Sequence, residues 1–340
     1  MTNSKTNTLK EKEENNKGFA FSFGDPEPVL SSSITDITQT FFNESQDYYE
    51  PPFSLSGVAK LLSANAHHGA IAYFKRNMLL KHYVDNDILN GDDLGKCAFD
   101  FCVFGNFYLQ SIKNAFGDVL YFKHIPALNM RRRKTKNKYC LLRKDNEPLN
   151  FKTGEIIHYK EYDPMQSIYG IPQYLGGINS VLLNETATLF RRKYFDNGAH
   201  MGYIFYTADA NLNTDDENDI KEQIRKSKGV GNFRSMYLNL PGGKPDSVKI
   251  IPIGDIATKD EFEKIKNITR NDILSMWRIQ PALAGVMPEN AGGFGDIEKI
   301  NRVFTENEVK PVQNIILQLN KLLPESKQIN FKEPETNNEE

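Results

Sequence analysis

One candidate for chemistry in the sequence is a Gly-Lys pair in a glycine-rich turn. A Walker A phosphate-binding loop needs such a pair followed by Ser or Thr, because that hydroxyl group holds the magnesium ion. In this chain Gly243 and Lys244 are followed by Pro245, which has no hydroxyl group. No Gly-x-Gly-x-x-Gly pattern follows a predicted strand either. The sequence therefore argues against nucleotide hydrolysis.

Two groups of ligand-type residues match metal sites only in part. A calcium loop that began at Asp85 would need an oxygen ligand at its fifth position and Glu at its twelfth. Leu89 and Lys96 stand at those positions. His67 and His68 are adjacent, so on a helix they point about 100° apart and cannot easily share one metal ion. We interpret the first group as a solvated turn and the histidines as a hydrogen-bonded break in a helix, and we expect no metal site and no cofactor.

Catalytic patterns are also missing from the sequence. There is no Gly-x-Ser-x-Gly nucleophile elbow and no carboxylate pair in a recognisable context. His124, His158 and His200 have no motif partner. The sequence therefore names no catalytic residue, and we predict that the protein is not an enzyme.

A basic cluster places six cations within eight residues. Its members are Arg131, Arg132, Arg133, Lys134, Lys136 and Lys138. One interpretation is a surface patch for phosphate groups or an acidic partner. The other is a solvated turn between two strands, and the sequence leaves both open.

A glycine-rich segment lies between two long helical patterns near the end of the chain. The patterns cover about 258–279 and 296–323, and residues 281–295 separate them. A flexible loop between two stiff helices is typical of a segment that contacts something that moves. Within the second pattern, Pro311 removes a backbone hydrogen bond and should kink the helix.

Composition limits the class of partner. The chain has 340 residues and a net charge of −2. Proteins that bind nucleic acid tightly usually carry a clear basic excess, so stable binding is disfavoured while brief or sliding contact stays open. No apolar run approaches the roughly 18 residues of a transmembrane helix, and the N-terminus has no apolar signal segment. We therefore expect no membrane partner.

The three cysteines fit no metal or redox motif. Cys97, Cys102 and Cys140 form an odd set without a Cys-x-x-Cys pair. We expect reduced, buried thiols of an intracellular protein.

Turn and capping signals predict an α+β fold. Ser54 or Ser56 can cap a first helix, and alternating residues at 107–112 and 119–125 flank a turn, which predicts a hairpin. Two long helical patterns enclose a small α/β insertion at 201–256. Between the first helix and the first long pattern, short strands and helices alternate.

Several sequence blocks carry a resemblance to a known family. They are 49–57, 61–69, 74–80, 100–106, 124–127 with 130–132, 169–172, 194–199, and Gln280-Pro-x-Leu-x-Gly285 followed by Gly292-Gly-Phe-Gly295 and Phe304. In this order they resemble the tailed-bacteriophage portal proteins of the compact PBSX type. The resemblance covers about residues 42–325.

The resemblance implies a structural role. Portal subunits form a ring, usually a dodecamer, at one capsid vertex, and double-stranded DNA passes through its channel without sequence-specific contacts. The implied partners are the large terminase, major capsid and scaffold proteins, and head-completion or tail-connector proteins. The implied location is the virion, after assembly in the host cytoplasm.

The resemblance and the residue patterns together divide the chain. We expect the following segments: a disordered tail at 1–18, an aromatic arm at 19–52, an α+β wing at 53–176, stem helix 1 at 177–200, an α/β clip at 201–256, stem helix 2 at 257–281, a tunnel loop at 282–295, a kinked helix at 296–323 and an acidic tail at 324–340. No large helical crown is expected.

The resemblance also indicates which residues meet DNA. We expect a channel-facing loop that contains Glu289, Asn290, Gly292, Gly293, Phe294 and Gly295. The stem cations Arg191, Arg192, Lys193, Lys264 and Lys266 either face DNA phosphates or pair with acids of the adjacent subunit. Two other classes remain as alternatives, a DNA-processing enzyme and a capsid adaptor without a channel.

Overall fold

The computed structural model describes residues 40–144, 146–196, 203–207, 248–252, 259–286 and 295–333. Several predicted segments lie wholly or mostly outside these residues. They are the tail at 1–18, most of the arm at 19–52, the interior of the clip, most of the tunnel loop and the last part of the acidic tail.

Helices make up much of the described chain. The α-helices are α1 Leu55–Leu61, α2 His68–Leu80, α3 Gly91–Phe104, α4 Ile178–Asp196, α5 Lys259–Met276, α6 Ile297–Phe304 and α7 Lys310–Leu317. A π-helical turn, Thr305–Val309, joins α6 to α7. Short 3-10 helices occupy Ala127–Asn129, Gln173–Gly177, Pro281–Ala284, Gln318–Leu322 and Glu325–Lys327.

The strands form small antiparallel sheets. Their bounds are β1 Phe42–Asn43, β2 Tyr48–Tyr49, β3 Tyr83–Val84, β4 Asn106–Lys113, β5 Val119–Ile125, β6 Met130–Arg133, β7 Tyr139–Arg143, β8 Asn146–Asn150, β9 Ile156–Lys160, β10 Tyr203–Thr207, β11 Val248–Pro252 and β12 Asn330–Phe331. One sheet has the order β1-β2-β6-β7-β8 and another has the order β5-β4-β9. Two further pairs join β10 to β11 and β12 to β3.

Helix α3 lies between two hydrophobic clusters. Its residues Ala98, Cys102 and Val103 face a cluster that includes α1, α2, the start of α4 and the end of α5. Its opposite side, with Leu94 and Phe101, faces the β4–β5 hairpin and α7. The helix begins at Asn90, whose side chain accepts from the backbone of Asp93, and such a cap stabilises the first turn. Helix α3 therefore packs against both hydrophobic clusters and is central to residues 53–176.

The end of α3 requires a glycine. Gly105 has φ +67°, a left-handed conformation that side chains other than glycine rarely adopt. A Cβ atom at this position would also lie 2.6 Å from the backbone carbon of Ile171. The chain can therefore turn from α3 into β4 in contact with the 169–172 segment only because residue 105 has no side chain.

A buried polar network connects β4 to the same segment. Asn106 donates to the carbonyls of Phe104 at 2.7 Å and Gly170 at 2.9 Å, and its Oδ1 accepts from Gly170 at 2.7 Å. His158 Nε2 lies 2.9 Å from the same oxygen, and its ring stacks on Tyr108. Because an amide oxygen only accepts, His158 Nε2 is the donor. Burial, together with the nearby Lys160 and Arg132, lowers the pKa of His158 to about 3, so the ring is neutral near pH 7.

Several local predictions are confirmed. Ser54 caps α1 by accepting from the backbone of Gly57 at 3.1 Å. The predicted hairpin is β4–β5, and Asn114 Oδ1 accepts from the backbone of Phe116 and Asp118 in its turn. The helix break at the histidine pair is present between α1 and α2. All three cysteines are free and buried, and burial raises the pKa of the Cys102 thiol to about 11.

No helix among the described residues is long and apolar enough to cross a membrane. The predicted strands of the clip at 203–206 and 248–252 pair antiparallel as β10 and β11. The predicted clip helix at 215–226 and strand at 236–240 lie outside the described residues.

We expect the folded protein to lose stability as the pH falls from about 6.5 towards 4. His158 and His68 have pKa values of about 3 and about 4 in the folded protein, because burial disfavours their charged forms. An unfolded histidine titrates near 6.5, so within this window the unfolded chain binds more protons. Each histidine then disfavours folding by about 1.4 kcal/mol per pH unit. Thermal unfolding at pH 7.5 and pH 5 measures the loss.

The contribution of His158 can be separated with the His158→Gln variant, since glutamine does not titrate. This variant should lose less stability than the wild type between the two pH values. An equal loss in both proteins would contradict the assignment.

Candidate functional site

The two long helices α4 and α5 pack against each other as an antiparallel pair. Asn184 donates to Thr269 Oγ1 at 2.7 Å, and Ser180 donates to Asp272 at 3.1 Å. The bonded positions rise along α4 as they fall along α5, which shows the antiparallel direction. Asn184 and Thr269 are each about 1% exposed. A satisfied buried polar pair opposes slippage between the helices, because any shift would leave both groups unpaired.

The start of α4 approaches the end of α5 closely. A Cβ atom at Gly177 would lie 2.4 Å from Met276 Sδ and 2.8 Å from Met276 Cβ. Glycine therefore permits this approach.

An aromatic cluster connects this helix pair to α2 and α3. Trp277, the only tryptophan of the chain, stacks on Tyr174 with ring centroids 4.7 Å apart. Its indole N–H donates to His68 Nδ1 at 3.1 Å, and Tyr174 donates its hydroxyl hydrogen to the Val103 carbonyl at 2.7 Å. Burial lowers the pKa of His68 to about 4, which keeps Nδ1 free to accept. The predicted role of His68 was a hydrogen-bonding one, and the structure adds Trp277 as its partner.

The predicted stem cations occupy the same half of the helix pair. Arg191 and Arg192 are exposed on α4, and Lys264 is exposed on α5. Lys266 is half-buried. Lys193 belongs to α4, and its side chain lies outside what the structure describes. The antiparallel pairing brings these positions towards the end of the helix pair that leads into 201–256.

Helix α5 ends earlier than predicted. The helical pattern extended to about 279 and the segment assigned to stem helix 2 to 281, but the helix ends at Met276. Arg278 adopts a left-handed φ of +56°, and Ile279 donates its backbone N–H to the Leu274 carbonyl at 2.9 Å. Pro281 then begins a short 3-10 helix that ends at Gly285. The helix therefore stops at a left-handed residue that the apolar periodicity does not reveal.

Of the predicted channel-facing loop residues, only Gly295 lies within the described chain. It has φ +67° and precedes Asp296, which caps α6 by accepting from the backbone of Lys299 at 2.9 Å. Glu289, Asn290, Gly292, Gly293 and Phe294 lie outside the described residues.

The helix after the loop is irregular near the predicted kink. The π-helical turn Thr305–Val309 stands immediately before Pro311. Proline has no N–H group, and its ring clashes with the carbonyl four residues earlier, here Asn307. Pi-helical turns are a recognised response to such a break and often occur at functional sites. The predicted interruption is therefore present, as a π turn followed by α7.

Sequence reasoning missed Glu308, which lies in this π turn. Its carboxylate is 3.3 Å from Lys75 Nζ on α2 and 3.4 Å from Arg278 Nη1 at the end of α5. The three side chains border a cavity of about 120 Å³ that Trp277 and Pro311 also line. A lone Glu within a polar helical pattern gives no sequence signal for such a contact.

The basic cluster divides into two parts. Arg131 contacts Glu50 at 3.4 Å and donates to the carbonyls of Leu128 and Met130. Arg133 donates to the Gln46 carbonyl at 2.7 Å and to Asn150 at 2.8 Å. These arginines hold β1 and β2 on the edge of the sheet.

Arg132 also lies in β6, and its backbone N–H donates to the Tyr169 hydroxyl at 3.0 Å. Lys134, Lys136 and Lys138 are exposed at the β6–β7 turn. Lys134 lies 5.3 Å from the ring centre of Phe42. The solvated-turn interpretation therefore applies only to the lysines, and a surface patch would also rest on them.

The described residues contain no cluster of three or more His, Cys, Asp or Glu side chains arranged to hold a metal ion. His124 Nε2 bonds to Asp100 Oδ2 at 2.8 Å, but the same oxygen also accepts from the backbone of Ala127. This pair therefore links α3 to the end of β5.

Sequence comparison identifies relatives with a common description. The family model for phage portal proteins matches residues 92–338. A probable portal protein of Escherichia phage P2 is 42% identical over 302 residues, which cover 88% of this chain and 87% of the relative.

Solved structures share the fold. A crystal structure of an HK97 family phage portal protein from Corynebacterium diphtheriae aligns with a TM-score of 0.58 and 11% identity, over 81% of this chain and 95% of that chain. The neck of a native gene transfer agent particle, computed with C12 symmetry, aligns with a TM-score of 0.52 and 17% identity, over 84% and 82%.

We expect the Arg133→Ala variant to release the edge strands β1 and β2. Arg133 contacts Gln46, Asp47 and Asn150, and few other polar side chains reach these two-residue strands. Chymotrypsin cleaves after Phe and Tyr, so cleavage after Phe42 and Tyr48 should accelerate severalfold, as mass spectrometry would show.

The Lys136→Ala variant is the matched control, because it removes an exposed cation of the same cluster. Its cleavage rate should equal that of the wild type. Equal rates for both variants would show that Arg133 does not hold these strands.

Proposed function

The chain belongs to the phage portal protein family, and we propose that it forms a ring at one capsid vertex through which double-stranded DNA is packaged and ejected. The observation that supports this most strongly is the 42% identity to a probable portal protein across most of both chains. The fold agrees with portal structures, including one from a neck with twelve-fold symmetry. The family is structural, which agrees with a protein that is not an enzyme.

The antiparallel helix pair is the basis on which we divide the proposed ring subunit into segments. We assign 53–176 to the wing, α4 and α5 to the stem, and 201–256 to the clip. The tunnel loop lies at 282–295, and the interrupted helix of 296–323 returns to the wing. Support comes from the antiparallel stem pair, from the β10–β11 pairing within the clip range, and from the contact of α7 with the wing core.

Channel contact is proposed for the loop and for the exposed stem cations. Glu289, Asn290, Gly292, Gly293, Phe294 and Gly295 would line the narrowest part of the channel. Arg191, Arg192, Lys193, Lys264 and Lys266 would face DNA phosphates or pair with acids of the adjacent subunit. The net charge of −2 suits passage, because a strongly basic bore would hold DNA rather than let it slide.

The partners follow from the same role. We propose contacts with the large terminase, with capsid and scaffold proteins, and with head-completion or tail-connector proteins. The location would be the virion, with assembly in the host cytoplasm. A separate terminase would hydrolyse ATP, in agreement with Pro245 at the position where a Walker loop needs a hydroxyl group.

We expect the purified protein to form rings with a central hole, most often of twelve subunits. Heterologous contacts between copies close into a ring when the rotation between neighbours divides a full turn. Negative-stain microscopy together with native mass measurement would count the subunits. A stable monomer, or a protein that cleaves DNA or hydrolyses ATP by itself, would favour an adaptor or an enzyme instead.

Replacement of Gly292 and Gly293 by leucine should block DNA packaging while rings still assemble. Bulky side chains would narrow the channel at the proposed loop, whereas the ring contacts would lie elsewhere. Packaged DNA would be measured by nuclease protection, and rings by microscopy. The control is Gly176→Leu, because Gly176 is exposed and an added Cβ atom there would meet no other atom within 4 Å. Normal packaging by the loop variant would contradict the assignment.

A further inference from the structure

Glu308 connects three parts of the subunit through one carboxylate. Its Oε2 lies 3.3 Å from Lys75 of the wing helix α2, and its Oε1 lies 3.4 Å from Arg278, the residue that ends the stem helix α5. Glu308 itself belongs to the π turn between α6 and α7. Elements distant in sequence therefore meet at a single acidic group.

The contact between Glu308 and Lys75 is largely removed from water. Their side chains are 16% and 10% exposed, whereas that of Arg278 is 59% exposed. Solvent screens a buried pair weakly, and a buried charge that loses its partner is strongly unfavourable. The Glu308–Lys75 pair is therefore the stronger constraint. The Glu308–Arg278 pair additionally orients the carboxylate towards the end of α5.

The π turn explains why this constraint is required. Pro311 interrupts the backbone hydrogen bonds, so the chain must break its regular helix nearby. Proline does not fix the direction in which the preceding helix leaves. One residue more or less in the turn would rotate α6 by about 100° relative to α7, since an α-helix has 3.6 residues per turn. A side-chain contact must select one arrangement, and Glu308 makes such a contact from within the turn.

We propose that Glu308 is a positioning residue that fixes α6, the first helix after the tunnel loop, relative to the stem end and the wing. This inference rests on the proposed portal function for its consequence, which is efficient passage of DNA. The position of α6 relative to α2 and α5 can be measured without DNA.

Trp277 provides a reporter at the site. It is the only tryptophan of the chain, is 3% exposed, and lines the same cavity as Glu308. Loosening of the contacts around this cavity should let a small quencher reach the indole ring. Acrylamide quenching of its fluorescence therefore measures the local arrangement in the intact full-length protein.

The experiment compares three variants of the full chain. Glu308→Gln removes the charge and keeps the size of the side chain. Lys75→Met combined with Glu308→Met replaces the buried pair by apolar groups, which is often neutral for stability. Glu306→Gln is the matched control, because Glu306 lies in the same π turn and pairs with Lys310 at 2.8 Å in an exposed position.

We expect Glu308→Gln to increase quenching of Trp277 and to lower the unfolding temperature, because Lys75 loses its partner. Rings should still form, and packaged DNA should fall by about tenfold, within the range of coupling between two sites. The double variant should regain the unfolding temperature but keep the raised quenching and the low packaging. Glu306→Gln should match the wild type in every measurement.

Two results would overturn the proposal. Quenching and packaging in Glu308→Gln equal to those in Glu306→Gln would show that Glu308 positions nothing. Recovery of packaging together with stability in the double variant would show a merely stabilising role. If the wild type forms no rings and packages no DNA, the portal function fails, while the quenching comparison still decides whether Glu308 fixes the local geometry.

Discussion

The packing of Trp277 between His68 and Tyr174 is the constraint on which the arrangement of the subunit depends. Trp277 follows the last residue of α5, Tyr174 lies in the 3-10 helix before α4, and His68 begins α2. The hydrogen bond from the indole N–H to His68 Nδ1 requires a neutral imidazole, and burial keeps it neutral. A large aromatic side chain fully removed from water contributes strongly to packing. These aromatic contacts therefore fix the start of α2 and the segment before α4 relative to the end of α5.

Elements with strong local signals could be predicted from the sequence. Asn114 gives the β4–β5 turn because its side chain satisfies two backbone N–H groups in the turn itself. Ser54 gives the start of α1 for a similar reason. The stem helices were also predicted, because their apolar spacing reflects one buried face each. In these cases the residues that specify the structure lie within a few positions of one another, so that local physics decides the outcome.

Elements held by distant side chains could not be predicted. The strands β1, β2 and β12 have two residues each, too few for an alternating pattern. Arg133 holds β1 and β2 from 86 or 87 positions away, and Asn320 fixes the approach to β12 by two bonds to Ile329. The end of α5 at Arg278 and the π turn at Glu308 depend on tertiary contacts in the same way. The sequence indicated that Pro311 interrupts the helix. That the interruption takes the form of a π turn depends on side chains that only the fold brings together.

Ion pairs within the subunit reduce the number of cations that could bind DNA phosphates in the proposed channel. Affinity for DNA rises with each phosphate that a cation neutralises, so free cations on the channel wall would slow a moving duplex. In the described residues many cations instead serve the fold: Arg131 and Arg133 hold the edge strands, and Lys75 pairs with Glu308. The chain as a whole carries 42 basic and 44 acidic residues, so its net charge is close to zero. Each cation that is paired within the subunit is then unavailable to neutralise phosphate, which agrees with the weak, sequence-independent DNA contact proposed above.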